Sequence, residues 1–307
     1  MLPTIASTRS RRLPAAIALF ACATLTGPIL AASVDVPAVS DPQSSEHHAG
    51  KIIWVDLVTP DLASAERFYG GLFGWTFRNL QAGSTNYAVA QLNGQPVSAL
   101  FEHKLPSTEH RQPAWLTFIA VSNVESARKV ALAHGATVLA GPAYLPHRGR
   151  QAVLADPDGA IFGVLDSSSG DPPDYLAGPG EWIWSALLTT DPDRDAAFYQ
   201  ELFGYDVFEL PSDDSRQHLI LSTDNYSRAS VNALPADGTR RHPHWLNFVR
   251  VMDTVSAANL AVTLGGRILV EPRIDRHGGR IAVVADPSGA PVGLMEWSDT
   301  NNVADAK

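Results

Sequence analysis

Residues 53–75, IWVDLVTPDLASAERFYGGLFGW, return as residues 183–205, IWSALLTTDPDRDAAFYQELFGY, an offset of 130 (183 − 53). Later landmarks keep it: Trp115 with Trp245, His147 with His277 and Gly159 with Gly289. Two readings of one hydrophobic pattern establish a domain repeat better than a single motif does. The 307 residues therefore divide into copy one, 51–168, and copy two, 181–298, joined by a linker at 169–180. A polar, Pro-containing linker at 33–50 precedes them, and a tail at 299–307 follows.

Within the quoted stretch, the apolar run ending at Val58 suits a strand. Asp61 then offers an N-cap, and Ala65, Phe68, Tyr69, Leu72 and Phe73 fall on one helical face. Gly74 stops the helix where a left-handed residue is needed. Copy two repeats this with Asp191 as cap, Pro192 at the first helical position and Gly204 as stop. Three short extended segments follow, 75–79, 86–92 and 96–103, the last two joined by Asn93-Gly94. A second half-unit repeats the order: strand 114–121, cap Asn123, helix to His134, then strands near 137–140, 149–154 and 160–166. Asp156-Pro157-Asp158-Gly159, matched by Asp286-Pro287-Ser288-Gly289, turns the last hairpin. Each copy thus reads as two βαβββ modules, an α+β fold. Eight mostly antiparallel strands with two covering helices are expected to curl into a half-open barrel with one concave face.

Lys and Arg number 23 against 32 Asp and Glu, a net charge of −9. An acidic surface repels phosphate backbones, so nucleic acid is excluded as a partner. Arg9, Arg11 and Arg12 precede an apolar stretch, 13–30, and the small residues Ala31, Ala32 and Ser33, the order of a secretory signal over 1–32. The chain is therefore expected to be exported, to the periplasm or to a lipid anchor on the envelope. Cys22, the only cysteine, lies in Leu19-Phe20-Ala21-Cys22. Either it is a lipidation site, the one route to a membrane, or it is one more apolar residue of a cleaved signal. No disulfide, thiolate metal site or thiol catalysis remains open to the body of the chain.

The strand–Asp–helix–FYxxLFGW segment, Val121-Ser122-Asn123-Val124 and Val153 to Gly159 (VLADPDG), each with a second-copy equivalent, resemble the vicinal oxygen chelate superfamily of glyoxalases, bleomycin-resistance proteins and extradiol dioxygenases. The likeness is greatest to its two-copy branch related to lactoylglutathione lyase. It implies tandem glyoxalase-like domains and, in metal-dependent members, His, Gln or Glu from four strands converging on one divalent ion. Carried onto this chain, the first-strand seats are Trp54 and Trp184, and the second-module seats are Leu116 and Leu246. The closing seats are Gly163 and Gly293, and the remaining ones fall near Ala99 or Leu100 and near Ser230 or Val231. None suits a cation. No cofactor is expected, a divalent metal only through other ligands.

Trp54 and Trp184, with Trp115 and Trp245 nearby, then either fill a core or line an aromatic cup for a small organic molecule, planar, apolar or anionic. Asp56, two residues after Trp54 and replaced by Ala186 in copy two, is either a general base raised by its apolar neighbours or a loop acceptor. If chemistry occurs, it is that of a glyoxalase-related lyase or isomerase in copy one. His147 and Arg150, recurring as His277 and Arg280, either hold an anionic ligand at the cup rim or form an ion pair that fixes the hairpin.

Overall fold

The computed structural model describes residues 35–104, 113–210, 217–234, 242–275 and 279–297. Copy one forms β1 (Ile52–Thr59), α1 (Leu62–Phe73), β2 (Thr76–Ala82), β3 (Thr85–Leu92), β4 (Gln95–Glu102), β5 (Ala114–Ala120), α2 (Val124–Ala133), β6 (Thr137–Leu145), β7 (Gly149–Ala155) and β8 (Ile161–Ser167). Copy two repeats it as β9 (Trp182–Thr189), α3 (Pro192–Phe203), β10 (Asp206–Glu209), β11 (His218–Thr223), β12 (Tyr226–Ala233), β13 (His244–Arg250), α4 (Thr254–Thr263), β14 (Arg267–Ile274), β15 (Arg280–Ala285) and β16 (Pro291–Met295). The caps are the expected ones. Asp61 and Asp191 accept the backbone N–H of Ser64 and Arg194, and Gly74 and Gly204 end their helices at φ 75° and 73°.

Each copy is one eight-stranded sheet, ordered β2-β3-β4-β1-β5-β8-β7-β6 in copy one and likewise in copy two, and neither closes into a barrel. β1 runs parallel to β4 and β5 parallel to β8, while β1 and β5 meet antiparallel at the centre. Strand alternation gives each sheet two faces. Val55, Leu57, Leu100 and Trp115 face the helices, whereas Trp54, Leu116, Phe118, Val153 and Leu165 pack together on the opposite, concave face. The β3–β4 hairpin departs from the constant repeat offset. Tyr87 lies opposite Phe101, and His218 opposite Asn232, an offset of 131 (218 − 87).

The helices lie between the two sheets, α1 against α4 and α2 against α3, so each main core belongs to both copies. One core joins Phe68, Tyr69, Trp75 and Trp115 to Val249, Ala261, Val284 and Leu294. The other joins Ile119, Leu154 and Phe162 to Phe198, Tyr199 and Trp245. Fully burying each large side chain contributes about 1.5–3 kcal/mol, so neither helix layer is dispensable to the other copy. The polar contacts across this junction are reciprocal. Tyr69 donates to Asp286 at 3.2 Å and Tyr199 to Asp156 at 3.1 Å. At the centre, Asn247 Nδ2 donates to Thr117, its own equivalent in copy one, at 2.9 Å.

The segment before copy one is no free tether. Val36, Pro37, Val39 and Ser40 are buried, and the Val39 and Ser40 amides donate to Ser169 Oγ at 3.1 Å. Apolar side chains at 36, 37 and 39 give it an affinity for the sheet that its overall polarity hides. Residues 1–34, including Cys22 and the signal-like stretch, and the 299–307 tail lie outside the described residues.

Candidate functional site

The two concave faces share a frame and differ in lining. In copy one, Val36 packs with Tyr87, Ala99 and Phe101, and Val39 with Trp54, Leu116, Phe118 and Val153. The chain thus covers this face with its own residues, and Trp54 is 4% exposed. Among the described residues, copy two has no such cover. Positions equivalent to 36 and 37 are Asp166 and Ser167, which are engaged in β8, and Trp184 and Ile183 stay half-buried.

Beneath the cover, Asp56 is wholly buried and accepts from Trp54 Nε1 at 2.6 Å and from Arg148 Nη1 at 2.7 Å. Burial pushes the Asp56 carboxyl up, and Arg148 and then Trp54 pull it back. Arg148, also wholly buried, holds its guanidinium 4.7 Å from the Trp54 ring. It reaches inward because the turn before β7 uses positive φ at His147 (66°) and Gly149 (116°). A Cβ at Gly149 would lie 2.1 Å from the Asp166 carbonyl oxygen, so only glycine fits. Arg148 escaped the sequence reading, which singled out its neighbours. The available signal was that Asp56 and Arg148 are both lost in copy two, as Ala186 and Gly278.

In copy two the same face carries a polar chain. Trp184 Nε1 donates to Ser230 Oγ at 3.1 Å, Asn232 Nδ2 donates to Ser230 Oγ at 3.0 Å, and His218 Nδ1 meets Asn232 Oδ1. Leu246, Phe248, Val283, Met295 and Trp297 complete the wall. Ser230, Asn232 and His218 occupy the places of Ala99, Phe101 and Tyr87 in copy one. The sequence reading named Ser230 only as a metal seat and did not join it to Asn232 and His218.

Two predicted cup residues are elsewhere. Trp115 and Trp245 point to the helix face, since Trp115 pairs with Leu57 and Trp245 with Leu187, and strand alternation sends them away from Trp54 and Trp184. There they donate to the hydroxyls of Tyr69 (3.2 Å) and Tyr199 (3.0 Å), extending the two reciprocal bonds between the copies. Arg150 is exposed and pairs with Glu125 at 2.7 Å, the hairpin-fixing alternative, and His147 is exposed at the turn. Arg280 is half-buried at the start of β15, and His277 lies outside the described residues.

The family's metal seats hold Trp54, Ala99, Leu116 and Gly163 in copy one and Trp184, Ser230, Leu246 and Gly293 in copy two. A Cβ at Gly163 would lie 2.2 Å from the Phe118 ring, and one at Gly293 2.1 Å from the Phe248 ring. A closing Glu therefore has no room while these rings stay. These residues do not fit a divalent ion, and no trio of His, Cys, Asp or Glu converges elsewhere among the described residues.

Known families match this frame. A profile of the glyoxalase/bleomycin resistance protein/dioxygenase superfamily matches residues 51–164, and a glyoxalase-like domain profile matches residues 184–295. The chain belongs to this superfamily. Among curated superfamily members it is 30% identical over 257 residues to CFP32 of Mycobacterium tuberculosis, provisionally named a glyoxylase, covering 83% of this chain and 98% of that protein. It is likewise 30% identical to the anthracycline biosynthesis protein DauV of a Streptomyces species, covering 80% and 93%. The fold is shared with the Mn(II)-bound glyoxalase of Novosphingobium aromaticivorans (TM-score 0.57, 16% identity, 81% and 82% covered). It is shared also with the 2,3-dioxygenase LapB of Pseudomonas sp. KL28 (TM-score 0.57, 12% identity, 83% and 94% covered).

Proposed function

We propose that this superfamily member binds a small planar organic molecule on the concave face of copy two, without a metal. The observation that carries the reading is the contrast between the faces: copy one's is covered by residues 36–40, with its Asp56–Arg148 pair wholly buried, while copy two presents half-buried Trp184 beside Ser230, Asn232 and His218. An indole face supplies stacking area, and a few convergent polar groups fix orientation. The superfamily's metal chemistry is not invoked, because the seats are filled by indole, isobutyl, hydroxyl and glycine under a phenyl ring. Export, on the signal-like order of residues 1–32, belongs to the same proposal, with the ligand then met outside the cytoplasm.

A planar quinone such as menadione is a suitable probe. It is expected to quench tryptophan fluorescence on binding, and Trp184→Ala to weaken binding about tenfold or more, the loss typical of a buried aromatic anchor. Unchanged affinity in folded Trp184→Ala, or stoichiometric divalent metal in the purified protein, overturns the reading. The second reading, a lyase or isomerase of small carbonyl compounds, draws on CFP32's provisional name and on His218 beside Asn232 in the same cup. Turnover of the methylglyoxal–glutathione adduct that is lost in His218→Gln would select it.

A further inference from the structure

Copy one's concave face holds donors that its own fold leaves unmet. Arg148 gives Nη1 to Asp56, but among the described residues its Nε and Nη2 find no hydrogen-bond partner, and neither does either polar side-chain atom of Gln151. Arg148 is 0% and Gln151 2% exposed. A buried polar group left unmet is destabilising, so such a set calls for a partner that satisfies it. Nε and Nη2 form one edge of the guanidinium, two parallel N–H groups spaced for the two oxygens of a carboxylate. Asp56 holds the other end and aims this fork. Trp54, Leu116, Phe118 and Val153 supply an apolar wall for the body of such a ligand.

The chain itself covers this face beside the fork: Val39 packs with Trp54, against whose ring Arg148 lies. Residues 35–40 are held by apolar contacts of Val36 and Val39, by Asp35, whose N–H donates to the Tyr87 hydroxyl at 2.9 Å, whose carbonyl lies 3.3 Å from the same hydroxyl and whose carboxylate pairs with Arg78 at 3.8 Å, and by the two amides on Ser169. They offer nothing to the fork. The void beside Gln151, bounded by Ala140, Gly141 and Ala143, is too small for a water molecule. A ligand can therefore reach Arg148 only when this segment lifts.

We propose that copy one carries a second ligand site, a carboxylate-binding site at the free edge of Arg148, which residues 35–40 cover as an intramolecular strap. It is independent of the copy-two cup.

The test uses the full chain, benzoate as probe and titration calorimetry. Val36→Asp with Val39→Asp lifts the strap, because an unpaired carboxylate does not enter an apolar seat. The strap-released chain is expected to bind benzoate about tenfold tighter or more than the unaltered chain, since the competent state is no longer a minor one. In that background Arg148→Lys, which keeps the charge opposite Asp56 and loses the fork, is expected to weaken binding, while Arg128→Gln, at an arginine of α2 that pairs with Glu125, leaves it unchanged. If the aspartates prevent folding, Val39→Ala with Ser169→Ala loosens the strap without charge and gives the same comparison. Equal affinity with and without the strap, affinity that survives Arg148→Lys, or affinity lost equally with Arg128→Gln overturns the proposal.

Discussion

The two concave faces descend from one pattern, yet among the described residues one is covered and the other is not, and the difference follows from what precedes each copy. Copy one is preceded by residues free to fold back over its sheet, so Val36 and Val39 settle on Tyr87, Phe101 and Trp54. Copy two is preceded by β8, whose residues already belong to copy one's sheet. The linings have diverged to match: Tyr87, Ala99 and Phe101 suit an apolar strap, whereas His218, Ser230 and Asn232 suit a polar visitor.

The sharpest way to break the comparison is the ion pair that copy one has and copy two lacks. Asp56→Ala leaves a wholly buried guanidinium unpaired and is expected to cost about 3–5 kcal/mol in denaturant unfolding. Asp56→Leu with Arg148→Met, which makes copy one's face apolar throughout as a filled cup would prefer, is expected to recover most of that loss. A double variant as unstable as the single would mean that the pair is not what the strap covers.

The junction between the copies gives a second, smaller effect, because its reciprocal bonds end on carboxylates of unequal surroundings. Burial, and then the Asp195 carboxylate, push Asp156 up to about 6 from 3.8. Burial raises Asp286 as well, without a neighbouring carboxylate among its causes. A carboxyl whose folded pKa exceeds its unfolded one favours folding while protonated. Its stabilisation is full below about pH 3.8 and is lost as pH rises through about 6. From Asp156 the loss across that window is at most about 3 kcal/mol. Asp156→Asn keeps an acceptor for the turn amides and is expected to flatten the slope of unfolding free energy against pH more than Asp286→Asn does. Equal slopes in the two variants would remove the asymmetry.

The repeat, the caps and the strand order within each copy were legible because each is local: an N-cap aspartate, a left-handed glycine and a helical apolar stripe are read within a dozen residues. The α+β class followed from hairpin spacing. The faces were harder. Trp115 and Trp245 lie one residue from Leu116 and Leu246, and strand alternation alone decides which of the two looks into the cup. The strap was hidden because three apolar residues in a polar stretch carry no periodicity, and Arg148 because its inward aim depends on the positive φ of Gly149 rather than on strand parity. Ser230 was matched to Ala99 from the sequence, but its grouping with His218 and Asn232 depends on the pairing of β11 with β12.

Tyr69→Phe and Tyr199→Phe test the other side of the comparison, the features the copies share. Each removes a hydroxyl that accepts from a tryptophan and donates to an aspartate of the opposite copy, and each is expected to cost about 1–3 kcal/mol. The two costs should agree more closely than any pair of substitutions in the cups, since the junction retains a pseudo-twofold symmetry that the concave faces have lost.

The smallest expected effect comes from making one substitution in both cups. Trp54→Phe withdraws a buried N–H from the Asp56 carboxylate at 2.6 Å, a charge-assisted bond under the strap, and should cost about 1.5–3 kcal/mol. Trp184→Phe withdraws an N–H from Ser230, which still accepts from Asn232 on a half-buried surface, and should cost about 0.5–1.5 kcal/mol. Thermal unfolding of the two variants reads the difference directly. If Trp184→Phe is the more damaging, its indole is holding copy two's fold together rather than waiting for a ligand, and the open cup would have to be reinterpreted as a core.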